Sequence, residues 1–255
     1  MVTFNKSIVY TCIFGKHDAL KDIKIKDPNW EYICFTDQDF EKTNWQIKKI
    51  PKELNNLDDS RKARAIKILP HLFLEPYEEC VWLDGNIEII NSVELFINKE
   101  VGRQQHILSI AKHPHRICVY QEEQAVLKYL KDDPDIVKKQ IQKYRDENYP
   151  TNWGLVQSGL IYRKNNDKII SLCNTWWNEV LHHSKRDQLS FNYTFWKNPL
   201  SMQEVKILNP KILSSFYFEY WYHTRPQKHI PANLEKPTYD TRYGTLPNFL
   251  NGVPV

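Results

Sequence analysis

Strand patterns and helix patterns alternate along the first two thirds of this chain, and that alternation restricts its fold more than any other feature. Apolar runs bounded by turn residues mark strands at 7–14, 31–35, 79–83, 105–110, 116–120 and 155–162. Helical periodicity lies between and after them, at 60–69 (stopped by Pro70), 93–98, 122–130, 134–144, 167–182 and 185–196. A chain of this kind buries its apolar faces as an α/β layered fold with a mostly parallel central sheet. In such sheets ligands bind beyond the carboxyl ends of the strands. At 255 residues, 41% of them hydrophobic, the chain fits one domain, with 1–210 as its body. From about residue 211 the pattern changes. FYFEYWYHTRPQKHIP is aromatic and polar without clear period, and five prolines follow one another to the end. We read 211–255 as an irregular segment wrapping the same domain.

Several function classes drop out on composition. The 7 glycines nowhere fall in the GxGxxG or GxxxxGK spacing that brings backbone amides against a pyrophosphate. The formal net charge of +4 is too small and too dispersed to indicate nucleic acid, and Lys138, Lys139, Lys143 and Arg145 read as a solvated helix face. No run approaches the roughly 20 apolar residues needed to span a bilayer, and the start lacks the order of a secretory signal. A cytoplasmic protein is expected. Cys12, Cys34, Cys80, Cys118 and Cys173 are odd in number and widely spaced, which suits buried thiols rather than disulfides or a zinc site.

Chemistry concentrates in ECVWLDGNIEII, residues 79–90. The strand delivers Asp84 at its carboxyl end, Gly85 permits a tight turn, and Asn86 lies two residues on, so both side chains point the same way on an extended segment. They are positioned to share a divalent cation, Mn2+ or Mg2+, that also contacts a diphosphate. Asn86 supplies a neutral oxygen where an Asp-x-Asp pair would be stronger, and D-G-N is equally a good turn tripeptide. On the preceding helical pattern, 60–69, Arg61, Arg64 and Lys67 lie three apart and span about 120° of helix surface. Such a stripe suits a leaving diphosphate, and arginine binds phosphate oxygens in pairs; a solvated stripe is the alternative.

The blocks VYTCIFGKHDAL, YICFTD, SRKARAIKILPH, VWLDGNIEI and RDQLSF follow in an order and spacing that resembles a family of glycosyltransferase-like domains. That family occurs in plant Golgi proteins linked to pectin and mucilage and in bacterial polysaccharide-locus proteins. The resemblance covers about residues 7 to 200 and is most specific over 60–89. It implies a GT-A type, Rossmann-like transferase that uses a nucleotide-sugar donor, with LDGN in place of the usual Asp-x-Asp. Beside it, Thr11 at the end of the first strand and Asp37 at the end of YICFTD are placed to meet a pyrimidine or ribose. Ser158 and Gly159 offer a hydroxyl and a close backbone approach to a sugar. Asp187 and Gln188 look like the Asp-Gln pair that several GT-A families carry on the acceptor side, with Asp187 as base or as a polar group under the sugar. A capping box from Ser184 to Asp187 competes with that role. His223 or His229 is a further metal-ligand candidate, His113, His115, Arg116 and Glu122 are candidates for an acceptor pocket, and Trp153 and Trp221 for sugar stacking.

The leading expectation is transfer from a nucleotide sugar, UDP-sugar first, to a saccharide or lipid-linked saccharide acceptor. Richness in Lys, Asn and Ile points to a low-GC bacterium, and the resemblance then implies capsule or lipopolysaccharide assembly, peripheral to the inner membrane. Two other readings stay open. A sugar nucleotidyltransferase needs an amino-terminal glycine-rich loop, for which GKHDAL is a poor substitute, and a non-catalytic carbohydrate-binding domain is kept open by Asn86.

Overall fold

The computed structural model describes residues 6–15, 17–40 and 42–222. His223, His229 and the rest of the carboxyl-terminal segment lie outside the described residues. The chain runs β1 (Ser7–Ile13), β2 (Trp30–Thr36), β3 (Gln46–Lys49), α1 (Asp59–Ile68), α2 (Pro70–Phe73), β4 (Glu79–Leu83), β5 (Ile87–Ile89) and α3 (Val93–Phe96). It continues through β6 (Leu108–Lys112), α4 (Val119–Lys128), α5 (Pro134–Asp146), β7 (Val156–Lys164), α6 (Asp167–His182), α7 (Phe191–Lys197), β8 (Val205–Leu208) and β9 (Phe218–Tyr220).

Seven strands form the central sheet in the order β3-β2-β1-β4-β7-β6-β8. β1 pairs parallel to β2 and β4, β2 to β3, and β6 to β8, whereas β7 runs antiparallel to both β4 and β6. This is the mostly parallel α/β sheet expected from the alternation. Its inner strands read as continuous apolar runs because both faces are covered. Along β1, Ile8, Tyr10 and Cys12 enter one core layer, which includes Ala65 and Ile68 of α1 and Trp176 of α6, while Val9 enters the other with Val93 and Phe96 of α3. A third cluster joins Val119 and Val126 of α4 to Val137, Ile141 and Tyr144 of α5. All five cysteines are buried free thiols. Among the described residues no helix is long and apolar enough to cross a membrane.

The structure corrects several expected elements. The run 116–120 is no strand: α4 starts at Val119, and its short apolar cluster serves the buried face of that helix. The helix expected over 185–196 divides into a 3-10 turn, Asp187–Leu189, and α7. No capping box forms there. Ser184 Oγ accepts the backbone N–H of Arg186 (3.1 Å) and donates to Asp132 (2.6 Å), so Asp187 is released from capping duty. Short strands β3, β5, β8 and β9 escaped the pattern. β3 is a half-exposed edge carrying two lysines, which blunt an edge against further pairing. The segment from residue 211 is not wholly irregular either: β9 pairs antiparallel with β5, setting Tyr220 opposite Ile87 immediately after the Asp84 turn.

Candidate active site

β1 and β4 are neighbours and end on the same rim, where the chain opens a cleft of about 440 Å3. β4 brings Asp84 to that rim. The Asp84 N–H donates to the Gly159 carbonyl on β7 (2.8 Å), and the Ile87 N–H closes the turn on the Asp84 carbonyl (2.9 Å). Gly85 is required in the turn, since a Cβ there would stand 2.6 Å from Ile13 Cγ1. Gly159 lies beside the carboxylate: a Cβ on it would reach 3.5 Å from Asp84 Oδ2 and 3.3 Å from Leu213 Cδ1.

Helix α1 drives Lys67 under this rim. Its side chain is 1% exposed, and Nζ lies 2.7 Å from Asp187 Oδ2, 3.3 Å from Asp84 Oδ1 and 2.9 Å from Ser158 Oγ. Three ammonium protons thus meet three acceptors. Ser158 Oγ donates in turn to Asp187 Oδ2 (2.8 Å), and the Trp82 indole N–H donates to Asp84 Oδ1 (2.8 Å). The lysine's main chain is fixed as well, because its carbonyl accepts from the Tyr10 hydroxyl (2.8 Å) and from Arg163 Nη2 (2.6 Å). Arg64 turns Nε towards Asp187 Oδ1 at 3.1 Å. Its terminal nitrogens have no partner among the described residues, and the side chain lines the cleft.

Burial by itself would raise the Asp187 carboxyl, but Arg64 and Lys67 overcome it and hold the group well below the usual carboxylate range. A general base works best with a pKa near the working pH. Asp187 is therefore built as a fixed counter-ion, and the role of base does not fit it. Gln188 lines the cleft beside it, its Oε1 facing Arg186 Nη2 at 3.5 Å.

A family model described as TOD1/MUCI70, glycosyltransferase-like domain, matches residues 35–212. The chain belongs to this family. The matched span takes in Arg64, Lys67, Asp84, Ser158 and Asp187. Membership in the TOD1/MUCI70 family makes the chain a glycosyltransferase. No curated protein matches the sequence. Among solved structures, mouse xyloside xylosyltransferase 1 in its apo form is similar at 9% identity and a TM-score of 0.48, over 80% of this chain and 85% of that one. The apo bifunctional glycosyltransferase WbbM is similar at 13% identity and a TM-score of 0.47, over 82% of this chain and 39% of that one.

Within this TOD1/MUCI70 domain the expected site residues divide. Arg64, Lys67, Asp84, Gly85, Ser158, Gly159, Asp187 and Gln188 line one cleft. Arg61 does not. It donates from Nε to the Val180 carbonyl (3.1 Å) and from Nη2 to the His183 carbonyl (2.7 Å), so it finishes α6. Thr11 is buried on β1 away from the cleft, with its hydroxyl unpartnered. Asp37 accepts the Gly15 N–H with both carboxylate oxygens (3.0 and 3.1 Å) and so shapes the loop after β1 without lining the cleft. His113 is buried, takes the N–H groups of His115 and Arg116 on Nδ1, and is pushed down to about 2 by burial and then by the Arg116 guanidinium. It belongs to the interior of its loop, not to a pocket. Trp153 packs against Tyr149 and Phe195, and Trp221 donates its indole N–H to Glu88 (2.9 Å). Sequence reasoning missed Lys131, Arg186, Trp82, Gln157 and Tyr220 as lining residues. Trp82, two residues before Asp84, Gln157, next to Ser158, and Arg186, next to Asp187, carried a local signal.

The expected cation pair does not survive this geometry. Asn86 is buried, its amide donates to the Trp221 carbonyl (2.7 Å), and it does not line the cleft. At Asp84 Oδ1 the ammonium of Lys67 already stands where a shared cation would sit. Among the described residues no three His, Cys, Asp or Glu side chains converge on one point. Asp84 and Asn86 do not fit a shared metal, and no step below passes through one.

Arg61→Ala separates the scaffold from the site. Losing bonds to two α6 carbonyls and to Asp58 is expected to cost about 1–3 kcal/mol, visible as a lower melting temperature, with nucleotide affinity unchanged by titration. A matching loss of nucleotide affinity would return Arg61 to the cleft.

Proposed function

We propose that this glycosyltransferase moves a sugar from a nucleotide-sugar donor, a uridine diphosphate sugar first, to a saccharide acceptor. One observation carries the reading: a buried ammonium, Lys67, is locked between the carboxylates of Asp84 and Asp187 at the floor of a cleft beyond the carboxyl ends of β1 and β4. Arg64 stands beside it with its terminal nitrogens unused. Departure of a nucleoside diphosphate puts developing negative charge on its oxygens, and fixed donors in a partly dry site stabilise that charge with little reorganisation. Arg64 supplies the planar fork for those oxygens. Lys67 holds Asp84, Ser158 and Asp187 in register beneath the sugar. The nucleoside lies towards β1, and the transferred sugar lies over Ser158 and Gly159, where the missing Cβ leaves room. The composition supports a bacterial source, and with it a role in capsule or lipopolysaccharide assembly on the cytoplasmic side of the inner membrane.

Incubation with a panel of UDP-, GDP- and CMP-sugars tests this directly. Release of free nucleotide from one class, with a rise in melting temperature from the same donor, is the expected result. No release and no thermal shift with any donor would refute it.

A further inference from the structure

Arg64 and Lys67 are balanced by Asp84 and Asp187. Two other lining cations, Lys131 and Arg186, have no ion pair among the described residues. No lining carboxylate makes a direct ion pair with either, although the Arg186 charge acts on Asp187 and Glu122 acts on Lys131. Asp59 pairs with Lys62 and lies beside Gly15, and Asp18 stands in the loop after β1, at the other end of the cleft.

The two cations are brought together by a built clasp. Two residues past the end of α4, Leu130 adopts a left-handed φ of 47°, a strained conformation for a side-chain-bearing residue. The turn is closed by the Lys131 N–H on the Val126 carbonyl (3.0 Å). Asp132 then ties this loop to the segment before the 3-10 turn, accepting from Ser184 Oγ (2.6 Å) and from the Lys185 N–H (2.9 Å). Ser184 Oγ also accepts the Arg186 N–H (3.1 Å). One carboxylate therefore fixes Lys131 and Arg186 side by side at the cleft wall. Burial, and then the charge of Arg186, lower the Lys131 ammonium from its ordinary value. Arg186 Nε is buried with no hydrogen-bond partner. Two like charges held together without a directly paired counter-ion raise the energy of the empty cleft, and an anion between them removes both that repulsion and the unmet N–H.

We infer that Lys131 and Arg186 form a subsite for an acidic group on the acceptor, a carboxylate or a phosphate ester carried by the saccharide. The inference rests on the donor placement proposed above. The sheet order sets β1, β4 and β7 in sequence across the cleft. A donor reaching from β1 to Asp84 and Ser158 ends where Asp187 begins, and Arg186 follows on the acceptor side.

Titrations of the full chain with glucose, glucuronate and glucose 6-phosphate, with and without saturating UDP, test it by calorimetry. Both variants should fold, since neither side chain holds an ion pair, and a thermal melt confirms that. At least one acidic sugar is expected to bind about tenfold more tightly than glucose with UDP bound, and the better of the two identifies carboxylate or phosphate. Lys131→Gln and Arg186→Gln should each remove most of that preference and leave UDP affinity unchanged. Equal binding of all three sugars overturns the subsite. So does a loss of UDP affinity in the variants, which assigns the pair to the diphosphate, or a preference for UDP-glucuronate over UDP-glucose that the variants abolish, which assigns it to the transferred sugar. Absence of UDP binding by the parent chain overturns the donor reading, while the sugar titrations without UDP still score the anion preference.

Discussion

Asp84→Ala is expected to lower donor-dependent nucleotide release by about 100- to 1,000-fold, the range seen when one preorganised electrostatic group is removed from a transition-state site. The carboxylate follows β4 beneath the proposed sugar position, where its negative charge meets the positive charge that develops on the transferred sugar, and it orients both the Trp82 indole and the Lys67 ammonium. Stability should suffer far less. Lys67 keeps Asp187 and Ser158, and the loss of one partly exposed acceptor costs about 1 kcal/mol. Asp84→Asn sharpens the result, because an amide oxygen still accepts from Trp82 while the charge is gone. Activity lost in both variants with a melting temperature near the parent's identifies the charge as the working feature. Full activity in Asp84→Asn would reduce Asp84 to a turn residue.

Lys67→Met should be the most destabilising single change in the cleft. It leaves Asp187, 2% exposed, with Arg64 as its nearest remaining ion-pair partner. Breaking a buried pair by removing one member costs about 3–5 kcal/mol, a fall in melting temperature of roughly 10 °C for a domain of this size. Lys67→Met combined with Asp187→Asn removes the stranded charge together with its partner. The double variant is expected to recover part of the loss, with a coupling of about 1–3 kcal/mol. Strict additivity of the two single changes would show that the pair is not energetically joined. The same network predicts an acid limit. The Asp187 carboxyl is held below its unfolded value, so its contribution is present above the ordinary carboxylate range and is lost as pH falls through and below that range.

Much of this architecture was legible in the chain because periodicity and strand ends are local properties. The run at 79–83, the helix stopped by Pro70 and the turn at Asp84 and Gly85 appear at or near their expected positions. Where the pattern was short it misled. The apolar cluster before Tyr120 is the start of α4, and β5 and β9, three residues each, become strands only by pairing with each other. A three-residue strand has no periodicity to read.

The stripe on α1 shows where sequence stops. Spacing alone places Arg61, Arg64 and Lys67 on one flank of a helix, but it says nothing about what that flank faces. α1 packs against α6, so the first turn meets the open carbonyls at the end of α6 and Arg61 is consumed there. Further along, the same flank reaches the strand ends, and Arg64 and Lys67 enter the cleft. Asn86 points away for a similar reason, since β9 returns beside β5 and offers its amide the Trp221 carbonyl. Lys131 and Arg186 had no shared signal in the sequence, because their juxtaposition depends on one bridging carboxylate, Asp132, that joins two distant loops. The sequence by itself determined the layered α/β fold and which residue types stand at the strand ends. Tertiary packing decided which charges meet, because a Coulomb interaction depends on distance in space and on burial, and neither is written in local spacing.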